Sequence, residues 1–305
     1  MATKQITTWD EFKTALTETI TENTTYEIMN DIDVSDEILT NRIVMICNPD
    51  RSVTVKKTFN GNDKKINGIT TYENINIFVT TTPFQNVHQI IFNNIHFTNF
   101  MIQNGSLFAP YNDTGYGAPL IFNSCFFNGL CNIFYSFTSG GSPYNYPHRN
   151  NFNKCSFNLK IKTTFINFDA TLNNCYIIID NSIAENGGAM FANGTRCVMS
   201  NCYLAGKWKS NTTNCYIDIS YYYSGTSIYS TNNVFNIELS SMNTGSTLQI
   251  TRNYNNDVPT LINADKIVKL ETQTITHGSQ QYLLTDSQLK SKTYIQQNTN
   301  FPLYG

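Results

Sequence analysis

Phe122-Asn123-Ser124-Cys125-Phe126-Phe127 returns 30 residues later as Phe152-Asn153-Lys154-Cys155-Ser156-Phe157, and 20 residues after that as Leu172-Asn173-Asn174-Cys175-Tyr176-Ile177. The same step precedes them as Phe92-Asn93-Asn94-Ile95-His96-Phe97. It follows them as Met199-Ser200-Asn201-Cys202-Tyr203-Leu204, Thr213-Asn214-Cys215-Tyr216-Ile217, Asn232-Asn233-Val234-Phe235-Asn236-Ile237 and Thr251-Arg252-Asn253-Tyr254. The pattern is an apolar residue, a polar one, Asn, a Cys or aliphatic anchor, and then a short aromatic or aliphatic run. A unit repeated at this spacing is the signature of strands stacked on their own copies. The anchors Ile95, Cys125, Cys155, Cys175, Cys202, Cys215, Val234 and Tyr254 stand 30, 30, 20, 27, 13, 19 and 20 residues apart. The step of 13 is too short for a full turn of three strands, so Cys202 or Cys215 belongs to another corner of the cross-section.

The residue types suit such a stack. Equivalent side chains of paired strands form rows about 4.8 Å apart. An Asn amide can donate to one neighbour in a row and accept from the other. Asn also tolerates the left-handed backbone that a sharp corner requires. Cys, Ile and Val at the next position are small enough to fill a narrow interior, and free Cys behaves as a buried hydrophobe. A charge cannot stack on its own kind. The chain of 305 residues accordingly carries only 14% charged residues, against about 25% in ordinary domains. With 20 Phe and 18 Tyr it has the aromatic content of a folded chain and not of a disordered one.

The chain opens differently. Thr8-Trp9-Asp10-Glu11 reads as a capping box, and Phe12, Leu16 and Ile20 continue it as one apolar stripe with Ala15 beside them. This predicts a helix of about three turns, Thr8–Ile20, lying over one open end of the β region. Tyr26-Glu27-Ile28-Met29 and Arg42-Ile43-Val44-Met45-Ile46-Cys47 read as strands. Asn30-Asp31-Ile32-Asp33, Asn48-Pro49-Asp50 and Asn60-Gly61-Asn62-Asp63 read as turns. The division expected is a capping helix over 1–25, the repetitive β region over 26–265 and a closing or assembly segment over 266–305. In that last segment Thr285-Asp286-Ser287-Gln288 is a second capping box, and Phe301 and Leu303 are odd on a free tail.

The Asn-Asn-Cys-Tyr and Asn-Ser-Cys-Phe steps resemble the turns of the pectate-lyase-like right-handed parallel β-helix superfamily. The opening Thr-Trp-Asp-Glu-Phe-Lys-Thr-Ala-Leu, with Tyr-Glu-Ile-Met-Asn-Asp-Ile-Asp-Val after it, is similar to the start of such proteins in bacteriophages and bacterial surface adhesins. The resemblance covers roughly residues 8–265. It implies an all-β solenoid with a short N-terminal capping helix. It implies no single activity, because enzymes, adhesins and virion fibres share the fold.

Catalytic chemistry leaves little trace. Pectate lyases of this fold use acidic calcium ligands and an Arg base. Polygalacturonases use three Asp with His-Gly and Arg-Ile-Lys motifs. Between 90 and 260 the carboxylates are Asp113, Asp169, Asp180, Glu185, Asp218, Glu238 and Asp257, with no adjacent pair. Glycosidases need two carboxyls about 5–10 Å apart. Asn255-Asn256-Asp257 and His277-Gly278 echo the hydrolase motifs in the wrong order. His88, His96 and His148 read as structural. The acidic group Asp31, Asp33, Asp36 and Glu37 lacks EF-hand spacing, and the eight cysteines lack CxxC spacing and read as reduced core residues. Neither a metal nor a cofactor is expected.

Binding has a better basis. Tyr144, Tyr146, Trp208, Tyr221, Tyr222 and Tyr223 lie in or beside longer loops, and aromatic faces serve both sugar rings and protein interfaces. Lys56-Lys57 and Lys64-Lys65 are the only basic doublets and read as solvated turns. With a net charge of −2, nucleic acid is not an expected partner. No stretch approaches the roughly 18 apolar residues of a membrane span, and Met1–Ile6 lacks a secretory h-region. The expectation is therefore a non-catalytic structural protein of a bacteriophage virion, of head-fibre, tail-fibre or spike type. It would be assembled in the host cytoplasm as a homo-oligomer, with a trimer favoured, and would bind other virion proteins or a host-surface polysaccharide. The alternatives are a polysaccharide lyase or glycoside hydrolase of the same fold, and a bacterial surface adhesin.

Overall fold

The computed structural model describes residues 1–34, 42–50, 52–68, 71–72, 75–80, 88–110, 120–135, 150–161, 164–167, 170–180, 189–191, 197–200, 202–209, 214–218, 229–231, 234–240, 247–251, 266–267, 276–277 and 280–281. They are mostly β-strand with one helix, and the strands pair in parallel; the class is all-β. One short antiparallel pair occurs among them, Thr276–His277 against Gln280–Gln281. No helix among the described residues is long and apolar enough to cross a membrane. Two compact units, Met1–Cys155 and Ser156–Gly305, divide the chain.

The first unit contains β1 (Ala2–Ile6), α1 (Trp9–Thr17), β2 (Thr24–Ile28), β3 (Ile32–Asp33), β4 (Ile43–Met45), β5 (Lys56–Asn67), β6 (Thr71–Tyr72), β7 (Asn76–Thr80), β8 (Gln89–Pro110), β9 (Leu120–Asn123), β10 (Phe126–Tyr135) and β11 (Asn150–Asn153). Strands β1, β2, β5, β8, β9 and β11 pair successively in parallel. Their register places Tyr26 on Phe59, Phe59 on Phe92, Phe92 on Phe122 and Phe122 on Phe152. The five rings form one stacked row, with centroids 4.8, 5.2, 5.2 and 4.9 Å apart. Parallel strands lie close to that distance apart, so in-register aromatic residues stack without leaving the pleat. Phe97 and Phe127 stack likewise at 5.3 Å, and Phe108 wedges edge-on against Phe97 and Phe122. All of these rings are buried.

One residue beyond the ring row, the amides line up. Asn123 Nδ2 donates to Asn93 Oδ1, Asn93 Nδ2 to Asn60 Oδ1, and Asn60 Nδ2 to Glu27 Oε1, at 2.9, 2.9 and 2.7 Å. In a second ladder Asn99 Nδ2 donates to Asn67 Oδ1, and Asn67 Nδ2 to Asp33 Oδ1. Both ladders end on a carboxylate, which only accepts. The left-handed corner falls elsewhere than the ladder. It is the next residue, Asn94, Ser124, Lys154 or Asn174, with φ of 51, 52, 56 and 54°. The two tasks that the sequence suggests for one Asn are thus divided between adjacent positions, and the second accepts Ser and Lys as well.

The anchor that follows each corner is buried. The Cys125 thiol donates to the Phe92 carbonyl and the Cys155 thiol to the Phe122 carbonyl, at 3.4 Å each. In the second unit Cys202 does the same to Leu172 at 3.5 Å. Cys47, Cys125, Cys155, Cys175 and Cys202 are all buried and free of disulfides.

Helix α1 has the capping box in full, with Glu11 N–H donating to Thr8 Oγ1 and Glu11 Oε2 accepting from Thr8 N–H. It is shorter than the apolar stripe predicts. Glu18 turns extended (φ −67°, ψ 149°), so Ile20 is buried outside the helix, with its N–H on the Cys47 carbonyl. Phe12 meets Phe59 and Phe78 edge-on. Lys57, read as half of a solvated doublet, is fully buried instead, and its ammonium meets the last carbonyls of α1. Strand β1 was not anticipated, because Thr3, Lys4 and Gln5 are exposed and carry no apolar alternation. Asn60-Gly61-Asn62-Asp63 is not a turn between strands but an irregularity inside β5. Ile32–Asp33, expected in a turn, pairs with Ile66–Asn67.

The second unit contains β12 (Ser156–Lys160), β13 (Thr164–Asn167), β14 (Ala170–Asn173), β15 (Tyr176–Asp180), β16 (Ala189–Phe191), β17 (Cys197–Ser200), β18 (Tyr203–Lys209), β19 (Asn214–Asp218), β20 (Tyr229–Thr231), β21 (Val234–Ser240), β22 (Thr247–Thr251), β23 (Lys266–Ile267), β24 (Thr276–His277) and β25 (Gln280–Gln281). Strands β12, β15, β18 and β21 pair in parallel, so that Tyr176, Tyr203 and Val234 share one register position. Cys215 lies inside β19, which pairs with β22. This accounts for the step of 13: Cys215, and not Cys202, has left the anchor row, and Val234, expected as a further anchor, stands one position beyond it, in register with Tyr176 and Tyr203.

Candidate functional site

The irregularity in β5 brings several kinds of reactive side chain together. Asn60 pairs with Asn93 and Lys64 with Ile95, so three residues of β5 face one of β8. A bulge of this kind re-aims side chains. Gly61 lets it form: a Cβ there would lie 2.2 Å from the Asn94 carbonyl oxygen and 2.4 Å from Ile95 Cγ1. Asn62 and Asp63 follow with φ of 50 and 60°. Asn62 Nδ2 turns back to Glu27 Oε2 at 3.0 Å, while Asp63 is left 77% exposed with Oδ1 3.9 Å from His96 Nε2.

His96 sits in an outward row between Lys65 and Phe126. Its ring meets Phe126 edge-on at 5.7 Å. The backbone N–H of Lys65 donates to Asp31 Oδ1 at 2.9 Å, which brings a second carboxylate to the row. Burial pushes the His96 pKa below its usual value, against the opposing pull of Asp63. The imidazole is therefore mainly uncharged at neutral pH, able to donate from one nitrogen and accept at the other. A half-exposed aromatic ring, a neutral imidazole, two carboxylates and an ammonium within one row suit a hydroxyl-rich ligand. The carboxylates and the imidazole bond hydroxyls, and the ring offers an apolar face.

Among the described residues no group of three or more His, Cys, Asp or Glu is placed to hold a metal ion. Asp33 is occupied by Asn67, and Asp36 and Glu37 lie outside the described residues. His88 is buried, and burial lowers its pKa. Tyr144, Tyr146, Tyr221, Tyr222 and Tyr223 lie outside the described residues, as do His148 and Asp169. The Trp208 backbone lies in β18 opposite Leu239 of β21; its side chain lies outside the described residues. Asp180 holds a register position between Lys160 and Lys207.

The row around His96 escaped the sequence reading for a definite reason. Phe59-Asn60 and Lys64-Lys65-Ile66 match Phe92-Asn93 and Ile95-His96-Phe97 position for position, but two additional residues at the bulge separate the halves. Allowing that insertion carries the repeat upstream and aligns Lys65, His96 and Phe126. Comparison with protein-family models, characterised proteins and solved structures yields no match to this chain.

Proposed function

We propose that the chain is a right-handed parallel β-helix and serves as a non-catalytic structural protein of a bacteriophage virion, of fibre or spike type, that engages a host-surface polysaccharide. The observation that carries the fold is the in-register parallel pairing of copies about 30 residues apart, with ring and amide rows running through them. Support for the virion role comes from the Asn-rich repeat and from the resemblance of the opening segment to the start of bacteriophage proteins of this fold. Support for glycan binding comes from the Lys65–His96–Phe126 row with Asp31 and Asp63 beside it. Residues 266–305 are proposed to close the far end by packing in a homotrimer or against another virion protein.

The test is binding of the purified protein to capsular and lipopolysaccharide glycans. Phe126→Ala and His96→Ala are expected to weaken the interaction by about tenfold or more, on the scale of a central contact residue. Binding that is indifferent to both changes would remove this surface from the proposal. The Asp63–His96 pair favours a second reading, a polysaccharide-cleaving enzyme. Release of new sugar ends that Asp63→Asn abolishes would establish that reading in place of the first.

A further inference from the structure

We infer that Asn128 is a site of spontaneous amide hydrolysis, set apart by the fold from other Asn-Gly steps of equal local chemistry. The sequence holds six such steps, at Asn60, Asn67, Asn104, Asn128, Asn186 and Asn193. Glycine after asparagine favours this reaction because no side chain shields the following backbone nitrogen and the chain there is unusually free to rotate. The Gly129 nitrogen attacks Cγ of Asn128 and closes a five-membered imide, and the side-chain nitrogen leaves as ammonia. Water then opens the ring at either carbonyl, leaving aspartate or isoaspartate. The balance is one water consumed and one ammonia released, with no oxidant or cofactor.

Attack requires the side-chain amide to swing free and Cγ to reach the backbone nitrogen. At Asn60 the amide is held at both ends, by Glu27 below and Asn93 above. At Asn67 Nδ2 is held by Asp33, and Oδ1 accepts from Thr98 and Asn99. There the attacking nitrogen is engaged too, because Gly68 N–H donates to the Thr98 carbonyl at 2.8 Å. Asn128 differs in its side chain. It is half-exposed, and its side chain makes no hydrogen bond among the described residues. It stands where the β10–β8 register breaks, between Phe127 opposite Phe97 and Gly129 opposite Phe100. Gly129 itself takes φ 151°, which an L side chain rarely adopts, and a Cβ on it would lie 2.4 Å from the Phe100 carbonyl oxygen. Glycine is thus required at this break by conformation and space, which keeps the labile dipeptide in place.

The native protein is incubated at mildly alkaline pH, digested, and its peptides are followed by mass and by enzymatic labelling of isoaspartate. Conversion at Asn128 is expected to outpace Asn60 and Asn67 by about tenfold or more, since freeing either of those amides breaks hydrogen bonds to a charged acceptor. In the urea-unfolded chain the three rates should converge. Glu27→Ala should speed conversion at Asn60 and leave Asn128 unchanged. Equal rates in the folded protein, or the same ratio of rates in the unfolded chain, would overturn the inference.

Discussion

The Lys57 ammonium lies 2.6 Å from the Ala15 carbonyl oxygen, 3.2 Å from that of Leu16 and 2.5 Å from that of Glu18. Those are the orphan acceptors at the C-terminal end of α1, whose own last turn carries no basic residue. A cation there satisfies both the acceptors and the helix dipole. Burial nevertheless pushes the Lys57 pKa down to about 8 from 10.5, with Cys47 and Glu18 opposing and Lys4 assisting. The unfolded chain therefore binds more protons between about pH 8 and 10.5, and Lys57 makes stability rise with pH across that window. Cys47 acts in the opposite sense: burial pushes it up to about 11 from 9.0, so its contribution is lost as pH rises across that interval. Lys57→Met should lower stability at neutral pH by about 1–3 kcal/mol, the cost of unsatisfied buried carbonyls. It should also abolish the rise that begins near pH 8, as urea unfolding at a series of pH values will show. Asn93→Asp tests the amide ladder. A carboxylate there can accept from Asn123 but cannot donate to Asn60, so a loss of about 1–3 kcal/mol is expected. Acidification should recover part of it, because a protonated carboxyl donates again.

Across the strands of the second unit, charges follow a rule complementary to that of the amides. Lys160 of β12 pairs with Asp180 of β15, Asp180 with Lys207 of β18, and Lys207 with Glu238 of β21. A row of like charges would repel at strand spacing, whereas alternating signs attract. Opposite-charge cross-strand pairs contribute roughly 0.2–1 kcal/mol each. Asp180→Lys would place three lysines in succession, and the thermal midpoint should fall. The fall should shrink in high salt, where the Debye length drops to about 3 Å at 1 M. A decrease of equal size at all salt concentrations would indicate lost packing in place of charge alternation. The alternation was not visible in the sequence, because the loops between these strands differ in length and hide that the four charges share a position.

At the scale of the molecule, the legible features were those in which a side chain repeats its identity from strand to strand. The Phe92, Phe122 and Phe152 row, the Asn93 and Asn123 ladder and the Cys125 and Cys155 anchors all announce themselves in this way. Lys57 did not, because its partners are carbonyls 39 to 42 residues away and leave no mark on sequence. The row around His96 did not, because the insertion at Gly61–Asp63 broke the alignment that reveals it. Of the expected aromatic site, Tyr144, Tyr146 and Tyr221–Tyr223 lie outside the described residues, and Trp208 belongs to strand β18. The assembly proposed for residues 266–305 makes a prediction at this scale. Removal of residues 285–305 should reduce the mass seen by light scattering to that of a single chain, with the far-ultraviolet β signal retained. An unchanged mass would eliminate that segment as the oligomer contact.

The direction of the two amide ladders has a bearing on synthesis. Every donor described points to a residue of lower number: Asn123 to Asn93, Asn93 to Asn60, Asn60 to Glu27, Asn99 to Asn67 and Asn67 to Asp33. Translation proceeds from low number to high, so each acceptor has left the ribosome before the amide that will bond to it exists. The terminal carboxylates Glu27 and Asp33 emerge first, next to a helix that closes its own N-terminal cap from local residues. The growing chain thus meets an acceptor already made at each step of the ladder.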